Sequence, residues 1–423
     1  MKLNYKRTFF IGLAFLSICS FWQMYDNIVP KILKDTFELK ETAVGVIMSM
    51  DNVLAVFLLP LLGTLSDKVD TRLGKRTPFI IGGTAAAVIL MMLLPFADMA
   101  KNLVLFVVLL GLTLLAMATY RSPAVALMPD LTPKPLRSSA NAVINLMGAI
   151  GGLYALALIF ILVPEENPNY LWLFAGIAAM MVISVVALVI TTKEKKIAAQ
   201  VALEYPEEET VTEEAQVQKM AKPVMVSLAL ILASIFLWFT AYNAVTTAFS
   251  RYADVVWGIG GGKFALPMFV ATGAAIISYI PIGAISSRIG RKKTILIGLL
   301  FMLISYSSVF FYPSFHWSAY AFFALIGMGW AAVSVNSLPM VVEMSKGSDV
   351  GKYTGLYYTF SMSAQIFTPI VSGMLLEHVS YSTLFPYAVA FTVFSMITMS
   401  FVKHGDSKPP KKAKALENFD VED

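Results

Sequence analysis

The sequence predicts an all-α polytopic membrane protein, with twelve transmembrane helices in two pseudo-symmetric six-helix bundles. Composition is the first reason: the 423 residues are 57% hydrophobic and 14% charged, with a mean hydropathy of +0.72, which favours hydrocarbon over water. Apolar residues also gather in runs of about 20, the length that crosses a bilayer. Finally, the basic turn Gly63-Thr-Leu-Ser66-Asp67-Lys68-Val-Asp70-Thr-Arg72-Leu-Gly74-Lys75-Arg76 is echoed 220 positions later by Gly283-Ala-Ile-Ser286-Ser287-Arg288-Ile-Gly290-Arg291-Lys292-Lys293. A motif recurring at the same place in two hydrophobic halves marks an internal duplication.

In order, the apolar runs fall near Thr8–Val29, Thr42–Leu65, Pro78–Phe96, Leu103–Leu127, Ser138–Val163 and Tyr170–Ile190, then Val224–Ser250, Phe264–Ile285, Thr294–Tyr312, Trp317–Val342, Tyr353–Leu376 and Thr383–Val402. Each is an uncharged or nearly uncharged stretch bounded by polar residues, as a membrane span requires. The first is too long for a cleaved leader and continues straight into further spans. This divides the chain into an N-terminal bundle (1–190), a linker (191–223), a C-terminal bundle (224–402) and a tail (403–423). The linker, with the acidic run Glu204 to Glu214 after Lys193, Lys195 and Lys196, reads as solvated rather than as a domain. The tail, with Pro409, Pro410 and alternating charges, reads as disordered.

An even number of spans puts both termini on one side, and the basic residues say which. Of 32 Lys and Arg, 25 fall in the termini, the linker and the loops on that side, six fall in the opposite loops, and Arg121 falls inside a span. By the positive-inside rule both termini are cytoplasmic, in a multi-pass protein of the cell membrane. The net charge of +5 is therefore a matter of topology and predicts no nucleic-acid partner. The single cysteine, Cys19, cannot form an intramolecular disulfide. No nucleotide-binding Gly-Lys-Ser/Thr loop, His-x-x-x-His pair or cysteine cluster is present, and His316, His378 and His404 lie in loops or the tail. The reading is of a protein that is not an enzyme and needs no cofactor or metal.

Ionised groups inside the bilayer cost about 2.5–3.5 kcal/mol on insertion scales, so they mark function. Asp26 lies late in span 1 (Trp22-Gln23-Met24-Tyr25-Asp26-Asn27), Asp51 mid-way through span 2 beside Asn52, and Arg121 late in span 4. A carboxylate in a water-accessible hollow can take up a proton and lose it as an arginine approaches, which is the chemistry of proton coupling. Other placements are open: Asp26 at the membrane interface, Asp51 as a structural acid bonded to neighbouring helices, and Arg121 snorkelling to the surface. A polyol substrate needs hydrogen-bonding side chains and aromatic faces. The candidates are Trp22, Gln23, Tyr25, Asn52, Tyr120, Asn141, Asn145, Trp238, Tyr242, Asn243, Trp330, Asn336 and Gln365.

The first basic turn resembles the signature of the major facilitator superfamily at Gly63, Leu65, Asp67, Gly74, Lys75 and Arg76, with four extra residues between Asp67 and Gly74. That lengthened form, with Ser66, Asp67, Arg72, Gly74, Lys75, Arg76 and Pro78, is similar to the glycoside-pentoside-hexuronide:cation symporter group and, within it, the sucrose/proton symporter-like branch. The stretch Tyr120-Arg121-Ser-Pro-Ala-Val-Ala-Leu-Met-Pro129-Asp130-Leu-Thr through Arg137 to Asn141 resembles the fourth-to-fifth helix region of sucrose-type carriers. Its counterpart runs from Pro339 through Glu343 to Lys352. The resemblance implies a monomeric carrier that works by alternating access, with a saccharide and a proton as its partners. It also implies a cytoplasmic gate drawn from Gly63, Asp67, Arg72, Gly74, Arg76, Asp130, Arg137, Glu343 and Lys352. Ser287 stands where a second-half Asp is expected, so that half's latch must be built differently. Melibiose-type relatives carry paired aspartates at the places of Ala55 and Leu59, and their absence here favours protons over sodium. Three functions stay open on the residues alone: a proton-coupled sugar symporter, an exporter or lipid-handling carrier on the same scaffold, and a non-transporting sensor. Intramembrane acid and base favour the first.

Overall fold

The computed structural model describes residues 3–133, 136–166, 168–204, 222–344 and 350–406. Among these the chain forms α1 (Tyr5–Asp35), α2 (Glu41–Lys68), α3 (Thr77–Met99), α4 (Leu103–Asp130), α5 (Arg137–Leu162), α6 (Leu171–Thr191) and α7 (Glu194–Glu204), followed by α8 (Lys222–Val255), α9 (Ala265–Ile289), α10 (Arg291–Phe310), α11 (Ala319–Val342), α12 (Val350–His378) and α13 (Leu384–Phe401). Twelve of these, all but α7, are long and apolar enough to cross a membrane. The predicted all-α architecture is therefore what forms, with only an isolated bridge between Thr71 and Gly74 outside the helices and turns of the described residues.

Most helices run past the ends of their apolar stretches. A backbone leaving hydrocarbon keeps its hydrogen bonds inside the helix until water can replace them, so α1 passes Pro30 to reach Asp35 and α8 extends to Val255. Local chemistry sets several starts. Asn4 and Asn102 cap α1 and α4 by accepting from Arg7 N and Leu105 N, each at 3.0 Å. Pro78 occupies the first turn of α3, where its missing N–H has no helical partner to lose.

The chain divides into two compact units. Unit 1 comprises Met1–Lys40, Met50–Glu207 and Ile259–Leu266; unit 2 comprises Glu41–Ser49, Glu208–Gly258 and Pro267–Asp423. Helix α2 is shared, since its first nine residues pack in unit 2 and the rest in unit 1.

In unit 1, α1 lies along α5 and α6, and α3 along α4 and α6. Glycines permit the close approach: an added Cβ at Gly151 would strike Leu16 O of α1, and Ser20 Oγ donates to Gly151 O at 3.0 Å. In unit 2, α8 packs on α12 and α13, and α10 on α11 and α13. There Gly298 and Gly329 bring the α10 and α11 backbones together. The outward faces stay apolar, with Phe57, Ile161, Trp172 and Ile277 all more than two-thirds exposed, as lipid contact demands.

The expected solvated linker contains structure. Helix α7 follows α6 after two residues, and Glu194 at its start is buried. The rest of the linker, 205–221, and the tail beyond Asp406 lie outside the described residues.

Candidate functional site

Unit 1 brings the intramembrane charges onto adjoining helices. A small pocket is lined by Trp22 of α1, Asp51 of α2 and Arg121 of α4, with apolar walls from Leu54, Ala55, Leu59, Leu114 and Ala118. The Arg121 guanidinium carbon stands 5.6 Å from the Trp22 ring centroid, within cation–π reach. Asp51 Oδ1 accepts from Asn52 Nδ2 at 2.8 Å. Asp26, half-buried on α1, lies in the electrostatic reach of both Asp51 and Arg121. Trp22 Nε1 and the Tyr25 hydroxyl, buried in the same stretch of α1, have no hydrogen-bond partner among the described residues.

The frame around this group is tightly fixed. Ser122 Oγ donates to Leu59 O at 2.8 Å and joins α4 to α2. Tyr120, fully buried, donates to Ala14 O at 3.0 Å and touches the Ser17 hydroxyl, so its polar end is committed to α1. Gln23 faces Gly152 of α5, and Asn141 and Asn145 are half-buried on α5.

Unit 2 assembles an aromatic group instead of a charged one. Tyr242 of α8 stacks on Trp330 of α11 with centroids 3.8 Å apart and planes within 6°. Phe239 meets Trp330 edge-on at 5.2 Å and Tyr357 at 6.3 Å. Trp238, one turn before Tyr242, is fully buried, and its Nε1 and the Asn243 amide nitrogen have no hydrogen-bond partner among the described residues. Asn336 is differently used, because its amide donates to Ala332 O at 2.8 Å and its carbonyl accepts from Ser286 of α9. Gln365 is half-buried on α12.

Twelve helices in two halves, with charged groups held inside the spans, match known carriers. The Major Facilitator Superfamily model matches residues 11–338 and 258–420. The chain belongs to the Major Facilitator Superfamily. Its similarity to an uncharacterized transporter of that type from Methanocaldococcus jannaschii is 22% identity over 368 residues, covering 85% of this chain and 86% of the relative. Among solved structures, the inward-open xylose transporter XylE from E. coli aligns with a TM-score of 0.65 at 14% identity, over 96% of each chain. The nucleoside transporter NupG, solved as a point mutant, aligns with a TM-score of 0.67 at 14% identity, over 95% of this chain and all of that one. At such identities the likeness establishes the fold, and with the family it establishes a membrane transporter rather than an enzyme.

In this superfamily member the first basic turn is a closed network within unit 1. Arg76 is buried, its Nε donating to Asp130 Oδ2 at 2.8 Å while the rest of its fork reaches Asp67, Ser66 and Gly63 O. Burial alone would lower the pKa of this guanidinium, but the hydrogen bond and charge of Asp130, and then Asp67, outweigh it and hold it above its usual value. Glu194 closes the other side. Its carboxylate accepts from Lys75 N (2.7 Å), Arg76 N (3.0 Å), Thr77 N (2.8 Å) and Thr77 Oγ1 (2.6 Å), where the N-terminus of α3 favours negative charge. Gly74 faces the carboxylate at φ +120°, a conformation only glycine adopts without strain. Arg72 and Lys352 are exposed, and Arg137 Nε donates to Thr132 O at 3.2 Å.

Unit 2 repeats the plan with different parts. Arg291 pairs with Glu343 at 2.7 Å, and Asp406 accepts from Lys292 N at 3.0 Å beside Gly290 at φ +98°. Ser287 turns back to Ala284 O at 2.8 Å, so the acid missing from that position is not replaced there. Sequence reasoning missed Glu194 and Asp406, having read the first as part of a solvated linker and the second as part of a disordered tail. The usable signal was the repeat itself, since each is an acid within five residues of the end of a half's last helix (Thr191, Phe401).

Proposed function

We propose that this chain is a proton-coupled symporter of an uncharged saccharide or glycoside, working by alternating access, in the sucrose/proton branch of the glycoside-pentoside-hexuronide:cation symporter group. The observation that carries the proposal is the meeting of Asp51, Arg121 and Trp22 around one pocket inside the spans. Charge balance supplies the reason for a proton. Two carboxylates, Asp26 and Asp51, and one guanidinium leave the group one positive charge short, and an apolar setting disfavours that imbalance. One proton on either carboxylate removes it. Ala55 and Leu59 line the same pocket with side chains that carry no oxygen, which weighs against a sodium ion held by the melibiose-type carboxylates.

The aromatic group of unit 2 supports a ring-shaped polyol. Stacked and half-buried Tyr242 and Trp330 offer flat apolar surface suited to sugar C–H faces.

The test is proton uptake into proteoliposomes challenged with a panel of glucosides and disaccharides. The wild-type chain takes up protons with at least one sugar, whereas Arg121→Ala and Asp51→Asn, each purified as a folded protein, do not. Sugar-driven proton flux that persists in both variants refutes the site. Uptake of sugar without any proton movement refutes the coupling, and a proton gradient that drives only efflux makes the chain an exporter.

A further inference from the structure

The guanidinium inside unit 1 is seated on a ring although two carboxylates lie in its electrostatic reach. Among the described residues Arg121 forms no ion pair, and Asp26 and Asp51 act on it only through their fields. Its guanidinium carbon stands instead 5.6 Å from the centroid of the Trp22 ring. That ring is wedged by Phe21 (centroids 5.2 Å apart, planes at 79°) and Tyr25 (5.4 Å, 88°), while its Nε1 has no hydrogen-bond partner among the described residues. Ring contacts therefore orient Trp22, and a face is what it offers to Arg121. The two acids differ in their own support. Asp51 accepts from Asn52 Nδ2 at 2.8 Å, whereas Asp26 makes no hydrogen bond among the described residues. The charge of Asp26, when present, has only Arg121 to answer it. All of these residues belong to unit 1.

An indole face holds a cation through the negative side of its quadrupole, and the hold strengthens where water is kept away. Apolar walls such as Leu54, Leu59 and Leu114 provide that setting. A ring can keep an arginine from a carboxylate only while that carboxylate is neutral, since an ion pair away from water outweighs a cation–π contact. Trp22 and Asp26 stand four residues apart on α1, so ring and acid are neighbours on one face, about 6 Å apart along the axis. A swing of the Arg121 side chain covers that distance without moving a helix. The remaining titratable groups nearby are Cys19 and Tyr25 on α1, Tyr120 on α4 and Tyr154 on α5; the hydroxyls of Tyr120 and Tyr154 donate to Ala14 O and Gly176 O. On α3 and α5 charged residues stand only at the ends, Asp98 and Arg137, and α6 has none.

We infer that the Trp22 ring is the seat Arg121 occupies while Asp26 carries a proton, and that loss of this proton draws the guanidinium off the ring and onto Asp26. The O–H bond of the Asp26 carboxyl breaks, the proton goes to water, and the charge left behind pairs with Arg121. Trp22 is thus a positioning residue, because it gives the arginine a place to rest when the acid beside it is neutral. The inference rests on the reading of Asp26 and Asp51 as coupling acids, and it assigns the swing to Asp26.

Fluorine NMR of the full-length protein in detergent, with fluorotryptophan at its six tryptophans, tests it. The resonance lost in Trp22→Phe is that of Trp22. Arg121→Gln is expected to displace this resonance and leave the others in place, and raising the pH of the wild-type protein is expected to move it toward the same position. In Asp26→Asn, which imitates the protonated acid, it is expected to stay at its acid-side position at every pH. Arg121→Lys keeps the charge but loses the plane that lies over a ring, so it is expected to give an intermediate displacement and serves if Arg121→Gln does not fold. A Trp22 resonance that ignores every folded Arg121 variant overturns the seat. One that responds to Arg121 but not to pH, or whose pH response survives Asp26→Asn, overturns the swing. In proteoliposomes at saturating sugar, Trp22→Leu is expected to move the pH at which uptake halves to the acid side by about half to one unit, with Trp22→Tyr in between. Without the ring the guanidinium settles on Asp26 more readily, and a proton must displace it; an unmoved midpoint in both variants also overturns the inference. If the resonance behaves as expected while no sugar moves protons, the coupling reading fails and the seat stands.

Discussion

Replacing Glu194 with alanine removes one carboxylate from the N-terminus of α3 and leaves four donors to find other partners. Three are backbone N–H groups, of Lys75, Arg76 and Thr77, and the fourth is the Thr77 hydroxyl. Lys75 is exposed and water can reach it, but Arg76 and Thr77 are about 5% exposed. An unmet buried donor costs about 1–3 kcal/mol, and loss of negative charge at a partly buried helix N-terminus costs up to about 2 kcal/mol. With Lys75 N–H and the rotatable Thr77 hydroxyl discounted, Glu194→Ala should cost about 3–5 kcal/mol. Glu194→Gln keeps one acceptor oxygen and loses the charge, so about 1–2 kcal/mol is expected. Titrating the detergent-purified protein with SDS and following tryptophan fluorescence measures both against Lys193→Ala, an exposed neighbour that should cost nothing measurable. The reasoning fails if Glu194→Ala unfolds at the same SDS fraction as Lys193→Ala, because the carboxylate would then be replaced by water at no loss.

Two further outcomes follow from neighbouring geometry. Gly83→Ala should destabilise by about 1–3 kcal/mol, because the added Cβ would lie 2.8 Å from Tyr120 N on α4. Gly82→Ala, with nothing within 4 Å, should stabilise by up to about 1 kcal/mol, and the same unfolding titration should separate the adjacent pair with opposite signs. Arg76→Lys should lose the fork shared among Asp130, Asp67, Ser66 and Gly63 O, since a lysine ammonium cannot match a bidentate site. An unfolding midpoint well below that of Lys75→Arg is expected, and equal midpoints would show that charge alone suffices there.

Much of the architecture was legible because hydropathy acts locally. Each apolar run needs only its own length and composition to declare a span, and the repeated turn at Gly63 and Gly283 declares the duplication. Asp26, Asp51 and Arg121 stood out for the same reason, as charges where hydrocarbon is expected. The fates of Tyr120 and Asn336 were not legible. Both are polar groups in spans and were read with the ligand candidates, yet Tyr120 is spent on Ala14 and Ser17, and Asn336 on Ala332 and Ser286. A one-residue pattern cannot say whether a neighbouring helix already meets a donor.

The amino-acid order by itself determined the number of spans, the two halves, the membership in a transporter superfamily and the list of charges inside the spans. Only the tertiary structure decided which of them meet. Glu194 was assigned to a solvated linker, yet it caps the start of α3 through backbone N–H groups more than a hundred residues away. The physical reason is range: transfer from water to lipid is a property of a segment, whereas pairing of a buried charge is a property of a place that distant segments build together.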